Sequence, residues 1–220
     1  MIVTLLIRST ILDVAKNPVS VVESKSRPGE GAMIDIVRKV TPRADGGTSL
    51  EVGLDLANAV VPERRYVADV ASLKFTADRV YLCFGQSKLT GGLRSLLVIY
   101  MTPEAAGQFL KICEGNNFRE SMTKAFQKER WPVATLATVE EEPAQTVALT
   151  ANLLAAGFSG REACIDFYHA SPFAMAQFRT ESRRVPIYPV VRIDFPANLF
   201  VAILEALEQH REDLPQDQGV

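Results

Sequence analysis

The sequence contains few of the residues that catalytic and metal sites most often use. Its 220 residues include only two histidines and three cysteines, and no two cysteines form a CxxC pair. An odd number of scattered cysteines disfavours both a disulfide framework and a zinc site. Cys83, Cys113 and Cys164 each lie in an apolar run, where a thiol behaves as a small hydrophobic group. We therefore expect a reducing, cytoplasmic compartment.

An excess of positive charge and a long apolar run are also missing. The net charge is −2 and the basic residues are dispersed, which argues against binding to the phosphate backbone of nucleic acid. No stretch approaches the roughly 20 apolar residues of a membrane span. The apolar run within residues 1–16 is short and is followed by an arginine, so we interpret it as a strand or an amphipathic segment and not as a signal peptide.

No catalytic or nucleotide-binding motif is recognisable, since GxSxG, GxGxxG and the P-loop pattern do not occur. His169 follows Asp166 by three positions, so on an alternating strand the two side chains face opposite sides and a metal pair is disfavoured. His210 lies near the end of a predicted helix, where it suits the helix dipole. We predict no catalytic residue, no metal and no cofactor.

Residues 64–116 predict a β-hairpin, a third strand and a helix. "YVADVASLKF" and "VYLCFG" alternate around a four-residue break, which is typical of an antiparallel hairpin. "SLLVIYM" predicts the third strand. Thr102 and Pro103 suit the N-cap and the first position of the helix. The apolar face of this helix consists of Ala106, Phe109, Leu110 and Cys113.

A similar pattern later in the chain indicates a tandem duplication. The hairpin recurs without a gap as "LTANLLAAGFSGREACIDFY", so that Phe75 corresponds to Phe158 (158 − 75 = 83). The third strand and its helix also recur, and there Pro103 corresponds to Pro196 (196 − 103 = 93). The second copy is longer by ten residues (93 − 83 = 10), all within a loop from Ser171 to Tyr188. The alternative is chance, because unrelated sheet-forming segments share alternation.

The predicted fold is α+β, with two repeated units, each an antiparallel β-meander followed by an α-helix packed on one face of the sheet. Residues 1–47 are interpreted as an N-terminal arm, residues 48–130 as the first unit and residues 131–220 as the second. The pattern allows one further strand before each copy, at residues 49–60 and 131–139. The two units would form an intramolecular pseudo-dimer.

The unit resembles the SecB-like superfamily, which holds the bacterial export chaperone SecB and its small bacterial relatives. The resemblance covers residues 64–116 and about 145–212. It rests on "YVADVASLKF", "VYLCFG" and "LVIYMTPEAAGQFL" with their counterparts in the second copy. SecB-like proteins bind unfolded polypeptide through apolar grooves and have no enzymatic activity or cofactor. The resemblance implies a binding role here, although SecB itself is more acidic and has one unit per chain.

The predicted function is that of a non-enzymatic protein- or peptide-binding protein, chaperone-like in its concrete form. Its partner would be a protein or unfolded polypeptide and not nucleic acid, and no membrane span is expected. The candidate apolar binding surface is Phe173, Met175 and Phe178 in the inserted loop, where Met and Phe suit an adaptable contact. These residues could instead cover the second sheet or the junction of the copies. Two alternatives stay open: a structural subunit of a homo-oligomer or larger complex, and an enzyme with an unrecognised site between the units.

Overall fold

A computed structural model describes residues 2–3, 32–42, 48–54, 56, 59–129, 134, 136, 147–177 and 184–214. Within these residues lie eleven β-strands and four α-helices, which confirms the predicted α+β class. None of the helices in these ranges has the length and apolar character needed to cross a membrane.

The strands and helices follow one another in a simple order along the chain. The strands are β1 (Ile2–Val3), β2 (Ala32–Pro42), β3 (Thr48–Leu54), β4 (Arg65–Val67), β5 (Val70–Phe75), β6 (Val80–Ser87), β7 (Leu93–Met101), β8 (Val147–Thr150), β9 (Leu153–Ser159), β10 (Glu162–His169) and β11 (Arg184–Pro196). The helices are α1 (Pro103–Gly115), α2 (Phe118–Glu129), α3 (Pro172–Gln177) and α4 (Ala197–Gln209). A short 3₁₀ helix follows at Arg211–Asp213.

The smaller sheet contains the first predicted meander. Its order is β5-β6-β7-β8, in which β5, β6 and β7 are antiparallel and β8 joins β7 in parallel. Val80, Leu82 and Phe84 are buried on one face of β6, as their alternation predicted. The helix that follows starts as predicted, because Pro103 is its first residue and the Thr102 hydroxyl accepts a hydrogen bond from the Ala105 N–H at 3.3 Å.

The larger sheet contains the second meander and the described N-terminal strands. Its order is β1-β3-β2-β11-β10-β9, and β4 also pairs with β11, in parallel. The long strand β11 pairs with β2 through residues 184–187 and with β4 through residues 192–194. The described part of the segment interpreted as an N-terminal arm thus includes two strands of this sheet, β1 and β2.

The prediction of one strand across residues 66–75 is wrong. The chain leaves β4 and enters β5 two residues later, and the two strands belong to different sheets. At the break, the Ala68 N–H donates to the Asp194 carbonyl at 2.9 Å, and the Asp69 N–H donates to the Gly85 carbonyl at 3.1 Å. The core-facing positions change from Tyr66 and Ala68 before the break to Ala71, Leu73 and Phe75 after it, so the alternation changes phase where the chain changes sheet.

The strands that directly precede the meanders are β4 and β8, and not residues 49–60 and 131–139. The structure does place β3 within the first of these ranges, but it pairs with β1 and β2. The second range lies outside the described residues except for Ala134 and Leu136, neither of which is in a strand.

Each meander receives a strand from the segment that precedes the other. β4 precedes β5 in the chain but pairs with β11, and β8 precedes β9 but pairs with β7. Tyr66 lies opposite Ile193 and Leu149 lies opposite Ile99, so the two pairs are related by shifts along the chain of 149 − 66 = 83 and 193 − 99 = 94. The exchange is therefore reciprocal and has the same register on both sides.

The strand registers correct the predicted shift of 93 residues between the third strands of the two halves. Val80 pairs with Met101, and its counterpart Ala163 (163 − 80 = 83) pairs with Phe195. The shift between the third strands is therefore 94 (195 − 101), and not 93. The sequence comparison matched the two prolines, but Pro196 is the N-cap of α4 whereas the proline of α1 is its first helical residue. The segment between the hairpin and the third strand is therefore longer in the second half by eleven residues (94 − 83).

One hydrophobic cluster fills the space between the two sheets and three of the helices. α4 packs against β5, β10 and β11, and α1 packs against β9 and α4. The predicted apolar face of α1 is buried, including Phe109 and Leu110, and Leu199 and Ile203 are buried on α4. Each helix therefore contacts the sheet of the other half of the chain.

Candidate functional site

The described residues of the insertion that distinguishes the second half, 171–177 and 184–188, lie mostly in regular structure. They include α3, and the last of them are the start of β11, which pairs with β2. The Ser171 hydroxyl accepts a hydrogen bond from the Ala174 N–H at 3.1 Å in the first turn of α3. The sequence analysis interpreted the segment from Ser171 to Tyr188 as a loop and did not predict this strand.

Of the predicted apolar surface, the structure describes the side chain of Phe173 alone. Phe173 lies on α3 and is 73% exposed. Met175 lies on the same helix, but its side chain is outside the described residues, and Phe178 lies outside them altogether. The described part of this surface is thus an aromatic ring in solvent.

A second hydrophobic cluster lies beneath α3 and fixes the helix on the sheet. Ala174 of α3 is buried in this cluster beside the β11 residues Val185 and Ile187. The cluster also contains Ile34 from β2 and Tyr168 from β10. Phe173 therefore lies on a helix whose position is fixed by the packing of Ala174 against the sheet.

A buried ion pair lies next to this cluster on β10 and β11. The Arg192 guanidinium donates two hydrogen bonds to Asp166, from Nε to Oδ1 and from an Nη to Oδ2, both at 2.6 Å. Asp166 is only 7% exposed, and the Tyr168 hydroxyl lies 3.4 Å from its Oδ2. Both carboxylate oxygens are thus occupied, which makes Asp166 a structural anion and not an available general base.

The protonation of the neighbouring groups follows from this pair. The hydrogen bonds from Arg192 to Asp166 raise the pKa of the guanidinium. Burial, and then the charge of Asp166, raises the pKa of the Tyr168 hydroxyl. Burial likewise raises the pKa of the Cys164 thiol, so the thiolate is disfavoured and the residue is a poor nucleophile.

The corresponding positions of the smaller sheet carry no charge. Cys83 and Val98 stand where the larger sheet has Asp166 and Arg192 (166 − 83 = 83 and 192 − 98 = 94), and they pair in the same register. The charged pair is therefore a property of the second half alone. Sequence reasoning weighed Asp166 only against His169 and missed Arg192, because the two partners are 26 residues apart and only the register brings them together.

The outer face of the smaller sheet carries two tyrosines and two cations, none of which sequence reasoning singled out. The rings of Tyr81 and Tyr100 meet edge to face with centroids 5.0 Å apart. Lys74 lies 6.0 Å from the first ring and Arg79 lies 5.8 Å from the second. These cation–π contacts join the two half-buried rings to an exposed lysine of β5 and an exposed arginine of the turn before β6. The hairpin register, once assumed, would have placed these residues side by side.

A charged cleft of about 470 Å³ lies where α1 meets α2, lined by Glu114, Asn117, Arg119, Glu120, Thr123 and Lys124. At its side, Arg211 forms ion pairs with both Glu114 and Glu208. Burial raises the pKa of Glu114, whereas the hydrogen bond from Arg211 lowers the pKa of Glu208. The cleft is open and its carboxylates pair with cations, so it resembles a network that joins helices more than a catalytic site.

The two histidines lie in different elements and have different surroundings. His210 ends α4, as predicted, and its ring stacks on Phe75 with centroids 4.2 Å apart. His169 ends β10, and its Nδ1 is buried with no hydrogen-bond partner among the described residues. The three cysteines, all described, form no disulfide. In the described ranges, no three His, Cys, Asp or Glu side chains are grouped so that they could hold a metal ion.

Comparison with known proteins gives no relative from which a function could be transferred. No protein-family model matches the chain significantly, and neither does any curated protein or solved structure.

Proposed function

We propose that this chain is a non-enzymatic polypeptide-binding protein built from two SecB-like units that arose by tandem duplication. The duplication is supported by backbone details that recur at fixed spacings. A β-bulge shifts the register after Phe84 in one meander and after Phe167 in the other. The reciprocal strand exchange has the same register twice. Unrelated meanders would share alternation but not these irregularities.

A recurring side-chain contact supports the same proposal. In the first meander, the Ser87 N–H donates to Asp69 Oδ1 at 2.7 Å. In the second meander, the Ala170 N–H donates to Asn152 Oδ1 at 2.9 Å. Both partners are displaced by the hairpin spacing (170 − 87 = 152 − 69 = 83), so the same local hydrogen bond braces each break before a hairpin.

The observation that carries the binding function is the exposed ring of Phe173. Burial of a phenylalanine side chain is worth about 1.5–3 kcal/mol, which this residue forgoes in the free protein. The ring lies on a helix that only the second half contains, and the cluster beneath holds that helix in place. An apolar segment of an unfolded polypeptide would recover this free energy. Cysteines without disulfides suit a cytoplasmic setting.

The test is whether the protein delays aggregation of a chemically denatured model protein, followed by light scattering. We expect the wild-type chain to delay it and Phe173→Ser to weaken binding about tenfold, as the loss of about 1.4 kcal/mol implies. Leu89→Ser is the matched control, because Leu89 is fully exposed but lies on a hairpin tip in the first half. A wild-type chain that neither delays aggregation nor binds peptides in a broad array would refute the proposal.

A second candidate function, as a subunit of a homo-oligomer, is favoured by a separate observation. Beyond Leu153 and Leu154, which are buried, the edge strand β9 of the larger sheet has no charged residue to protect it from another strand.

A further inference from the structure

The hairpin between β6 and β7 projects beyond the other strands of the smaller sheet. The last residue of β6 that pairs with β5 is Gly85, and the first residue of β7 that pairs with β8 is Leu97. From there β6 and β7 continue as a two-stranded ribbon, which closes with the pair Ser87 and Leu93. All nine residues of the tip, 87–95, are exposed. This hairpin tip is therefore accessible to another molecule.

Backbone hydrogen bonds fix the conformation of the hairpin tip. The Gly91 N–H donates to the Lys88 carbonyl at 3.0 Å, which closes a β-turn with Leu89 and Thr90 at its centre. The Lys88 N–H donates to the Gly92 carbonyl, also at 3.0 Å. Gly91 and Gly92 have φ values of 86° and 83°, in the left-handed region that glycine adopts without strain. The turn thus holds Leu89 at the apex of the hairpin.

Two leucines make the end of the hairpin tip apolar. Leu89 is fully exposed and Leu93 is 49% exposed. Turns favour Gly, Pro, Asn, Asp and Ser, so the turn itself does not require a leucine at its centre. A side chain wholly in solvent also adds nothing to the packing of the core. A single exposed leucine is ordinary, but two on one projecting turn form a small convex apolar surface.

The charge beside the two leucines is positive. Residues 86–95, QSKLTGGLRS, contain Lys88 and Arg94 and no acidic residue. Both cations are exposed, and neither is in an ion pair with another residue that the structure describes. Asp69 contacts the hairpin at its base, where its Oδ1 accepts a hydrogen bond from the Ser87 N–H at 2.7 Å. The hairpin tip is therefore cationic in a chain whose net charge is −2.

We propose that the hairpin tip is a docking site for an anionic lipid surface. Leu89 and Leu93 enter the boundary between the headgroups and the acyl chains, and the long side chains of Lys88 and Arg94 reach the lipid phosphates. This boundary is roughly 5–10 Å deep, a distance that a strand covers in about two or three residues. The cytoplasmic leaflet of a membrane has the negative surface potential that the two cations match.

The size of the hairpin tip favours a lipid surface over a protein partner. A standard protein interface uses about 20–30 residues on each side, and its anchoring side chains fill complementary pockets. A tip of nine residues is small for such an interface. Acyl chains adapt to a convex apolar group, and anionic headgroups supply the charge opposite to the two cations. Because the hairpin tip carries only two leucines and two cations, we expect weak and reversible binding.

The test is sedimentation of the full chain with sucrose-loaded vesicles that contain phosphatidylcholine and phosphatidylglycerol in equal amounts. Vesicles of phosphatidylcholine alone are the reference. The wild-type chain should bind the anionic vesicles at about 20 mM salt and be released at about 0.5 M salt, where the Debye length shortens to about 4 Å. It should bind the neutral vesicles much more weakly at both salt concentrations.

Two variants remove the two parts of the hairpin tip separately. Leu89→Ser should lower the partition coefficient on anionic vesicles about tenfold, because it removes the apolar apex. Lys88→Gln combined with Arg94→Gln should lower the same coefficient about thirtyfold, because each cation contributes about fivefold. The substituted side chains are all exposed, and circular dichroism checks that each variant is folded.

Two matched controls change other parts of the surface. Lys74→Gln combined with Arg79→Gln removes the same charge beside the β5–β6 turn, at the opposite end of β6. Phe173→Ser removes an apolar side chain that is 73% exposed in the other half of the chain. Both controls should bind the anionic vesicles as the wild type does.

Several outcomes would overturn the proposal. They are a wild-type chain that stays in the supernatant at low salt, equal binding to neutral vesicles, binding that both tip variants retain, and an equal loss of binding in either control. Release from the vesicles by millimolar glycerol phosphate would assign the cations to a soluble phosphate. Binding to immobilised polyglutamate but not to vesicles would assign the hairpin tip to an acidic protein. The aggregation assay with Phe173→Ser contains no lipid, so either proposal can fail without the other.

Discussion

The rings of Phe84 and Phe167 meet edge to face in the core, with centroids 6.1 Å apart and planes at 71°. The two residues have the hairpin spacing (167 − 84 = 83), and each lies directly before the bulge of its meander. A residue that contacts its own counterpart is what a two-fold axis between two units produces. In the proposed duplication, this pair therefore lies on the internal axis.

We predict that these two rings are energetically coupled. Phe84→Leu and Phe167→Leu should each lower the free energy of unfolding by about 1 kcal/mol. The double variant should differ from the sum by about 0.5–1.5 kcal/mol, because either substitution already removes the ring contact. Urea unfolding of the four proteins gives this coupling. A control cycle combines Phe84→Leu with Phe109→Leu. The ring of Phe109 contacts the ring of Phe200, so this cycle does not probe the contact between Phe84 and Phe167. Equal coupling in both cycles would contradict the prediction.

The sequence predicted side-chain facing better than it predicted strand partners. Alternation identified the buried face of β6, and the Thr102–Pro103 pair located the start of α1, because both signals are local. The change of sheet at Ala68 and Asp69 was missed, because a single alternating run was assumed where the core-facing positions change parity.

The candidate site was predictable only in part for a related reason. Phe173 could be proposed because it lies in an insertion, and the structure does place it in solvent. The pair of Asp166 and Arg192 depends on the register of β10 and β11, which the residue pattern does not contain. The strand at the end of the insertion depends on β2, which ends at Pro42 and is therefore remote from Arg184 in the chain.

We predict that the ion pair of Asp166 and Arg192 stabilises the fold only while both partners are present. Asp166→Asn leaves the guanidinium without its counter-charge in a site where only 23% of the Arg192 side chain is exposed. The free energy of unfolding, measured in urea, should fall by about 3 kcal/mol.

The smaller sheet supplies the matched replacement. The double variant Asp166→Cys with Arg192→Val copies the pair Cys83 and Val98 of the equivalent register. It buries no charge, so it should recover most of the stability that Asp166→Asn loses. A double variant less stable than Asp166→Asn would show that the ion pair is a net source of stability.

The two glutamates that Arg211 holds predict opposite dependences of stability on pH. The hydrogen bond from Arg211 lowers the pKa of Glu208 below its ordinary 4.5. Its stabilising contribution is therefore present above pH 4.5 and is lost as the pH falls through the folded-state pKa. Burial raises the pKa of Glu114, so its ionisation costs stability as the pH rises from 4.5 through the folded-state pKa. The summed contribution is largest near the ordinary glutamate pKa.

Substitution of each glutamate separates the two effects. Glu114→Gln should raise the thermal midpoint relative to the wild type, increasingly as the pH rises above 4.5, because the neutral amide avoids the cost of ionisation. Glu208→Gln should lower the midpoint at pH values above 4.5, and its deficit should vanish in acid, where Glu208 is protonated in both states. Thermal unfolding between about pH 3 and about pH 7 measures both differences. A shift of the thermal midpoint in the same direction for both variants at neutral pH would contradict the opposite roles of Glu114 and Glu208 beside Arg211.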